Sequence, residues 1–511
     1  MKSVEQYKVF SVELEGTAEG NPYVDVTFGA RFERADGGDA VDVPGFYKGD
    51  GTYGVNFMPG SAGAWNYTTH SSDSALNGVQ GSFEVTPASG DNHGRVLRAR
   101  DVLPREAPFS TENDFTFAYE DGTRYLPFGT TCYAWTNQDE EFQEQTLETL
   151  SHAPFNKIRM CIFPKFYDYN VEDPAMYAFE GSKGAFDHTK FYEPFWENLE
   201  KRISQLDELG IQADIILLHP YDKPEDWGFS RMTKDEDVFY LTYAVRRLAA
   251  YKNVWWSLAN EWDLLPWKPA EDWDLYARIV MANDPYGHLR SIHNCREIFD
   301  HSHPWITHVS WQRCDLQRTA ECVVDLRAQY GKPVIVDEAG YEGNINWGWG
   351  NLTAEEEVRR FWEGCLRGGY VTHGETFVDR GPKLWWAHGG KLYGDSPERI
   401  AFCRSYMESL PSGMDWVPDE IGVIDGTFTW DVTCMADSMG KGTDDVLMYF
   451  GFFRPAYREF TGDEGKRYQV DVIDTWNMTV ETLPQTFEGA FRIDLPSRQY
   501  MMLRVRTVKA E

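Results

Sequence analysis

No run of about 18 apolar residues occurs anywhere in this 511-residue sequence, so nothing in it reads as a membrane-spanning helix. The amino terminus, MKSVEQYKVFSVELEG, lacks the apolar h-region that a secretory signal needs, which points to a cytoplasmic protein. Basic residues are scarce: 49 Lys and Arg stand against 81 Asp and Glu, a formal charge of −32, and no long basic run relieves it. Nucleic-acid binding depends on counterion release by Lys and Arg, so a polyanionic partner is disfavoured. Acidic clusters such as NQDEEFQEQ (137–145) read as solvated helix faces. Cysteine is sparse as well. The eight (132, 161, 295, 314, 322, 365, 403 and 434) form no CxxC pair, which suits reduced, mostly buried thiols and neither a disulfide framework nor a zinc site. There is no internal repeat and no low-complexity segment. No glycine-rich phosphate loop follows the first strand of the central region, which weakens a doubly wound fold.

What the chain has in excess is aromatic: 15% of residues, with 19 Trp. Such rings fill cores, and they also stack on sugars. The length predicts two to four domains. Residues 1–90 alternate short strands with Gly, Pro and Asp-Gly turns (YVDVTFGARFE, AGAWNYTTHSS, GVQGSFEVTP), the pattern of an N-terminal β-sandwich. Across 91–410 the pattern changes to apolar runs separated by amphipathic stretches. YLPFGTTCYAW, NKIRMCIFP, QADIILLHP, VWWSLANEWD, LRSIHNC, ITHVSWQ, PVIVDEAGY and YVTHGETF make eight candidate strands, the count and length of a (β/α)8 TIM barrel. Residues 411–511 return to strands and turns and read as a C-terminal β-sandwich. The expected architecture is therefore multidomain α/β, a barrel flanked by two sandwiches.

In such barrels the reactive groups lie where strands end and βα loops begin. That filter returns Trp135, Arg159, His219, Asn260 with Glu261, His293, His308 with Trp311, Glu338, and Glu375. Glu261 and Glu338 close the fourth and seventh strands, each after an apolar run in which an idle charge would be costly. Two carboxylates across one pocket are the equipment of glycosidic-bond hydrolysis: one ionised to attack, one protonated to serve the leaving oxygen. Their mutual repulsion holds the acid's pKa up. Four histidines (His293, His301, His303, His308) fall within HNCREIFDHSHPWITH, but their spacing matches no zinc ligand set, so pocket lining or loop packing is expected and no metal. Trp347 and Trp349, in NINWGWGNL, are candidates for a sugar-stacking wall.

LANE closing a fourth strand and IVDEAGY closing a seventh resemble the acid/base and nucleophile signatures of retaining glycoside hydrolases of clan A. More narrowly, FGTTCYAW, WWSLANEWD, IHNC and VDEAGYEG resemble the apiosidase-like family, whose members often carry an uncharacterised β-sandwich before the barrel and, in a subset, a small β domain after it. The resemblance covers nearly the whole chain. It implies Glu261 as acid/base, Glu338 as nucleophile, Asn260 on the sugar 2-hydroxyl, and Arg159 holding Glu338 ionised. It also implies His219, His308 and Tyr341 lining the reacting subsite, with no cofactor. The Trp platform that many clan members carry after strand eight is missing from VTHGETF; Trp385 or Trp386 is expected to supply it. The implied activity is exo-acting O-glycoside hydrolysis of short oligosaccharides or glycosides, with a carbohydrate as partner. The rival readings are a non-catalytic carbohydrate-binding protein on the same scaffold, which would be free to lose a carboxylate, and an interaction protein whose sandwiches dock a partner. Oligomeric state has no sequence signal.

Overall fold

The structure, a computed structural model, describes residues 2–103, 114–313, 318–417, 432–437 and 444–508. Cys314 lies outside the described residues; Cys132, Cys161, Cys322, Cys365 and Cys403 are free thiols. No helix among the described residues is long and apolar enough to cross a membrane.

At the N-terminus a five-stranded sheet and a three-stranded sheet enclose one core, in which Phe32, Phe57, Trp65 and Phe83 are buried and Phe32 stacks on Phe57. This unit docks on the barrel's helices through polar groups as well as rings. The Asn56 amide donates to the Arg247 carbonyl (3.0 Å), and the Met58 N–H donates to the Tyr286 hydroxyl (2.8 Å).

The centre is an eight-stranded sheet in which every pairing is parallel. Its strands are β1 (Phe128–Thr131), β2 (Lys157–Cys161), β3 (Gln212–Leu218), β4 (Val254–Ala259), β5 (Arg290–Ser291), β6 (Val309–Gln312), β7 (Val334–Glu338) and β8 (Tyr370–His373). β3 and β4 are buried along their whole length, which is why they read as continuous apolar runs and not as alternation. The barrel closes between β5 and β6 without a regular ladder. The Thr307 N–H bonds the Arg290 carbonyl (2.9 Å), and the Asn294 side chain bonds the Gln312 backbone (3.1 Å to its carbonyl). A TIM barrel is therefore present, with one departure from eight regular strand-helix units: 292–308 joins β5 to β6 without a helix. Long helices follow the other seven strands. One of them, Lys234–Leu248, starts with a Thr233/Glu236 capping box that satisfies its first N–H groups.

The floor is plugged by a three-stranded sheet of Val96–Arg98, Phe117–Tyr119 and Arg124–Tyr125. Phe117 packs there on Trp255 (5.3 Å) and Tyr370 (5.5 Å), at the entry ends of β4 and β8. Above this plug the interior is charged instead of aliphatic. Lys157 pairs with Asp214 (2.7 Å) and Asp337 (2.9 Å), Arg159 pairs with Asp337 (3.0 Å), and Ser310 and Thr372 donate to Asp337 (2.6 and 3.0 Å). All four charged groups are fully buried, so each depends on the others to offset its desolvation.

After the barrel comes a six-stranded antiparallel sheet whose central strands are buried on both faces. Within Asp445–Tyr449, Val446 and Met448 point to a core shared with a two-stranded sheet (Tyr457–Thr461 with Ala490–Asp494), while Leu447 and Tyr449 join the barrel's core.

Candidate active site

Glu261 follows β4 in a left-handed backbone conformation (φ 53°, ψ 56°), which costs a non-glycine residue about 1 kcal/mol or more. The strain is held from both sides: the Asn260 N–H bonds the Leu218 carbonyl (3.0 Å) and the Trp262 N–H bonds the His293 carbonyl (3.0 Å). The turn buries the carboxylate, which accepts from Gln312 Nε2 at Oε1 (2.7 Å) and from the Tyr221 hydroxyl at Oε2. A Gln amide nitrogen can only donate, so Oε1 stays unprotonated and a proton on this group belongs on Oε2. Asp263 braces the facing loop by accepting the N–H groups of Cys295 (2.6 Å), Arg296 (2.8 Å) and Glu297 (3.0 Å).

Glu338 ends β7 with 14% of its side chain exposed. Its Oε1 accepts from the Tyr133 hydroxyl and lies 3.5 Å from His293 Nε2. His293 is held in turn at Nδ1 by Ser310 Oγ (2.9 Å).

The two carboxyls differ in kind. Burial, then the charge of Glu338, raises Glu261 to about 7. Burial pushes Glu338 upward too, but the nearby His293 ring, then the Lys165 and Arg159 charges, outweigh it and hold the group below the usual carboxylate range. Glu338 is thus the partner favoured in its ionised form and Glu261 the partner favoured in its protonated form, and the charge of Glu338 is part of the reason.

Asn260 is fixed by its carbonyl oxygen, which accepts from Arg159 (2.8 Å) and faces the Tyr133 hydroxyl (3.4 Å). Its Nδ2 is buried and has no protein partner among the described residues. A buried amide donor left open is costly unless a ligand completes it. Arg159 favours the ionised form of Glu338 from a distance. Its guanidinium bonds Asn260, Ser310 (3.1 Å) and Asp337, and it acts on Glu338 through charge and not through a bond.

Several predicted residues stand elsewhere. His308 precedes β6 and sits at the floor, edge-on to Trp255 (5.4 Å) and Phe117 (5.8 Å), too deep to line a subsite. His219 is a satisfied turn residue. Its Nε2 donates to the Phe163 carbonyl (3.2 Å), its Nδ1 accepts the Tyr221 N–H (3.2 Å), and burial lowers its pKa to about 3. It therefore serves the site only by seating Tyr221. Trp135 is fully buried in the barrel-helix core. Trp311 lies off the site, because strand alternation turns Ser310 and Gln312 inward and Trp311 out. Trp385 donates its N–H to Thr130 Oγ1 (2.8 Å) inside the core, and Trp386 is the one that reaches the pocket. Glu375 accepts the N–H groups of Tyr393 and Gly394 (both 2.7 Å) and braces a loop. Tyr341 is buried beside Glu338, whose charge opposes its ionisation after burial itself.

The pocket wall is aromatic. Trp386 packs on Trp349 (5.0 Å), Tyr133 (5.9 Å) and Tyr167 (6.2 Å), while Trp347 is 47% exposed on the outer side of the same loop as Trp349. Tyr133, Tyr221, Gln312 and Lys165 were not among the sequence candidates. Gln312 had a signal, since it lies two residues beyond Ser310 on one strand face. The four histidines do not converge: His303 pairs with Asp274 (2.8 Å), His301 packs on Tyr330, and no group of three metal-ligating side chains gathers among the described residues.

Residues 111–390 match the family model for an apiosidase-like catalytic domain. Residues 3–72 and 430–506 match two domains of unknown function, DUF5060 and DUF5605. Among solved structures, a provisionally assigned glycoside hydrolase from Bacteroides vulgatus ATCC 8482 is 38% identical, with 99% of this chain and 100% of that one covered and a TM-score of 0.88. A glycoside hydrolase family 5 protein from Bacteroides vulgatus ATCC 8482 is 16% identical, covering 81% of this chain and 93% of that one, with a TM-score of 0.59; that likeness is one of fold. No curated protein matches the chain.

Proposed function

The chain belongs to the apiosidase-like family, and from that premise we propose that it is a retaining, exo-acting glycoside hydrolase for short oligosaccharides or glycosides, with Glu338 as nucleophile and Glu261 as acid/base. One observation carries the reading: Glu338 and Glu261 are bonded by the hydroxyls of Tyr133 and Tyr221, whose rings flank one buried ammonium, with Glu338 favoured as the ionised partner and Glu261 as the protonated one. That is the division of labour double displacement requires. Glu338 attacks the anomeric carbon while Oε2 of Glu261 gives its proton to the departing oxygen. Glu261, now a carboxylate, then takes a proton from the water that releases the sugar from Glu338. The open Nδ2 of Asn260 is the donor for the 2-hydroxyl, a contact that strengthens as the oxocarbenium-like transition state forms. Trp386 and Trp349 are the platform for the sugar face. We propose that the flanking units, 1–90 and 411–511, are packing domains around the 91–410 barrel.

Screening the purified protein against nitrophenyl glycosides, pentofuranosides included, tests the assignment. Cleavage of at least one glycoside is expected, with the released sugar first appearing in the anomeric form of the substrate. An inverted product would dismiss the double displacement, and silence across the panel would dismiss the activity.

The pH profile gives a second test. Activity on the free enzyme requires Glu338 ionised and Glu261 protonated, so it falls as pH rises through about 7. Gln312 stabilises the charged form of Glu261, so Gln312→Leu is expected to move this alkaline limit upward by roughly half to one unit. A limit that stays put or moves down would dissociate Gln312 from the acid.

A further inference from the structure

We propose that Lys165 is the positioning cation of the glutamate pair: one fixed positive charge that balances the single negative charge the two carboxyls share, whichever of them carries it. The inference rests on the retaining reading above.

Lys165 follows β2 in the loop FPKFY and is buried. Its ammonium lies on ring faces, 3.5 Å from the centre of Tyr133, 4.2 Å from Tyr221 and 4.7 Å from Trp386. Two of those rings carry the hydroxyls that bond the carboxyls: Tyr133 to Glu338 and Tyr221 to Glu261. Among the described residues Lys165 makes no ion pair within 4.0 Å. The charged and titratable groups facing it are Glu338, Glu261, Cys161 and Arg159, with Tyr133, Tyr221 and His219 around them. Its charge favours the ionised form of both glutamates.

This placement is unusual for a buried lysine, which ordinarily bonds one carboxylate directly. A direct bond would pin the negative charge on one partner. Without a direct bond the ammonium acts on both carboxylates through space and favours whichever is ionised, and the π faces offset part of its desolvation. Double displacement needs that indifference. Before the first step Glu338 is ionised and Glu261 protonated. As the Glu338 oxygen bonds the anomeric carbon, the glycosidic bond breaks with its electron pair on the leaving oxygen, which takes the Glu261 proton. Glu338 is then a neutral ester and Glu261 a carboxylate. In the second step water gives a proton to Glu261 while its oxygen displaces Glu338, which regains the electron pair. One negative charge is present at each stage, and Lys165 faces it each time.

The test compares wild type with Lys165→Met, Lys165→Gln and Lys165→Arg. Carboxyl titrations are followed by isotope-edited infrared spectroscopy of 13C-carboxyl-glutamate protein, assigned with Glu261→Gln and Glu338→Gln. Loss of the cation is expected to raise both titrations by about one unit or more, with the arginine variant near wild type. In activity assays the neutral variants should show a higher alkaline limit and slowed glycosylation and deglycosylation alike. A folded neutral variant in which neither carboxyl moves, or only one does, overturns the proposal. So does a loss confined to KM with unmoved pH limits, which would make Lys165 a substrate grip. The titration needs no substrate, so an enzyme inert on every glycoside counts against the glycosidase reading alone.

Discussion

Replacing Glu338 by alanine is expected to lower kcat for glycoside cleavage by about four orders of magnitude or more, because the step that forms the glycosyl ester loses its nucleophile. The fold should survive. The side chain faces the pocket, and its neighbour Arg159 keeps Asp337 as a direct counter-ion, so no buried cation of the interior network is stripped of its partner. Circular dichroism and thermal unfolding close to wild type would establish that. Truncation opens a hole beside Lys165 and His293, where a small anion can stand for the missing carboxylate. Azide should therefore restore part of the cleavage of an activated aryl glycoside, and the product should be a glycosyl azide of inverted configuration, since only one displacement takes place. Undiminished turnover, or an azide adduct of retained configuration, would remove Glu338 as nucleophile.

The second large effect is at Glu261, and it should depend on the leaving group. For substrates with poor leaving groups Glu261→Ala is expected to cost about 10²–10⁴-fold in kcat/KM, the usual range for a general acid. Nitrophenyl glycosides with strongly acidic phenols need little protonation and should lose far less in the same parameter. Their turnover should instead stall after a burst, because the ester at Glu338 now lacks the base that activates water. Azide, which needs no base, should relieve the stall and give the retained glycosyl azide after two displacements. The alkaline limit should vanish as well. In the wild type it reflects loss of the Glu261 proton as pH rises through about 7, and alanine has no proton to lose. Equal loss across leaving groups, or an unchanged alkaline limit, would assign the acid elsewhere.

Of the residues the sequence named and the tertiary structure assembles, Glu261, Glu338, Asn260 and His293 lie at or just past the carboxyl end of their strands, and Arg159 lies within β2, two residues before its end. Strand ends are legible because apolar runs stop where the barrel meets its loops. The named aromatic residues stand one or two positions from those that pack beside the two glutamates. Trp135 stood for Tyr133, Trp311 for Gln312, and Trp385 for Trp386. Trp311 and Gln312 are neighbours on a strand and point to opposite faces, whereas Tyr133 and Trp135 lie in the turn past β1 and Trp385 and Trp386 on a short helix, where only the folded backbone decides which ring meets the glutamates. His308 failed for a related reason. It sits at the entry end of β6, at the barrel floor, and a four-residue strand puts its two ends close together in sequence. Lys165 and Tyr221 lie in loops, where the only local signal was a charge and a ring like many others.

The sequence by itself determined the order of elements, the eight parallel strands, and the two glutamates at their ends, because periodicity and the stopping of apolar runs are properties of neighbours along the chain. Tertiary structure alone supplies the partners that set the two glutamates apart. That asymmetry comes from Tyr221 and Gln312 around one group, and His293, Tyr133 and the Lys165 and Arg159 charges around the other. These partners are drawn from five different strand ends and loops, and the burial and distances that set a proton's free energy exist only once the barrel has closed.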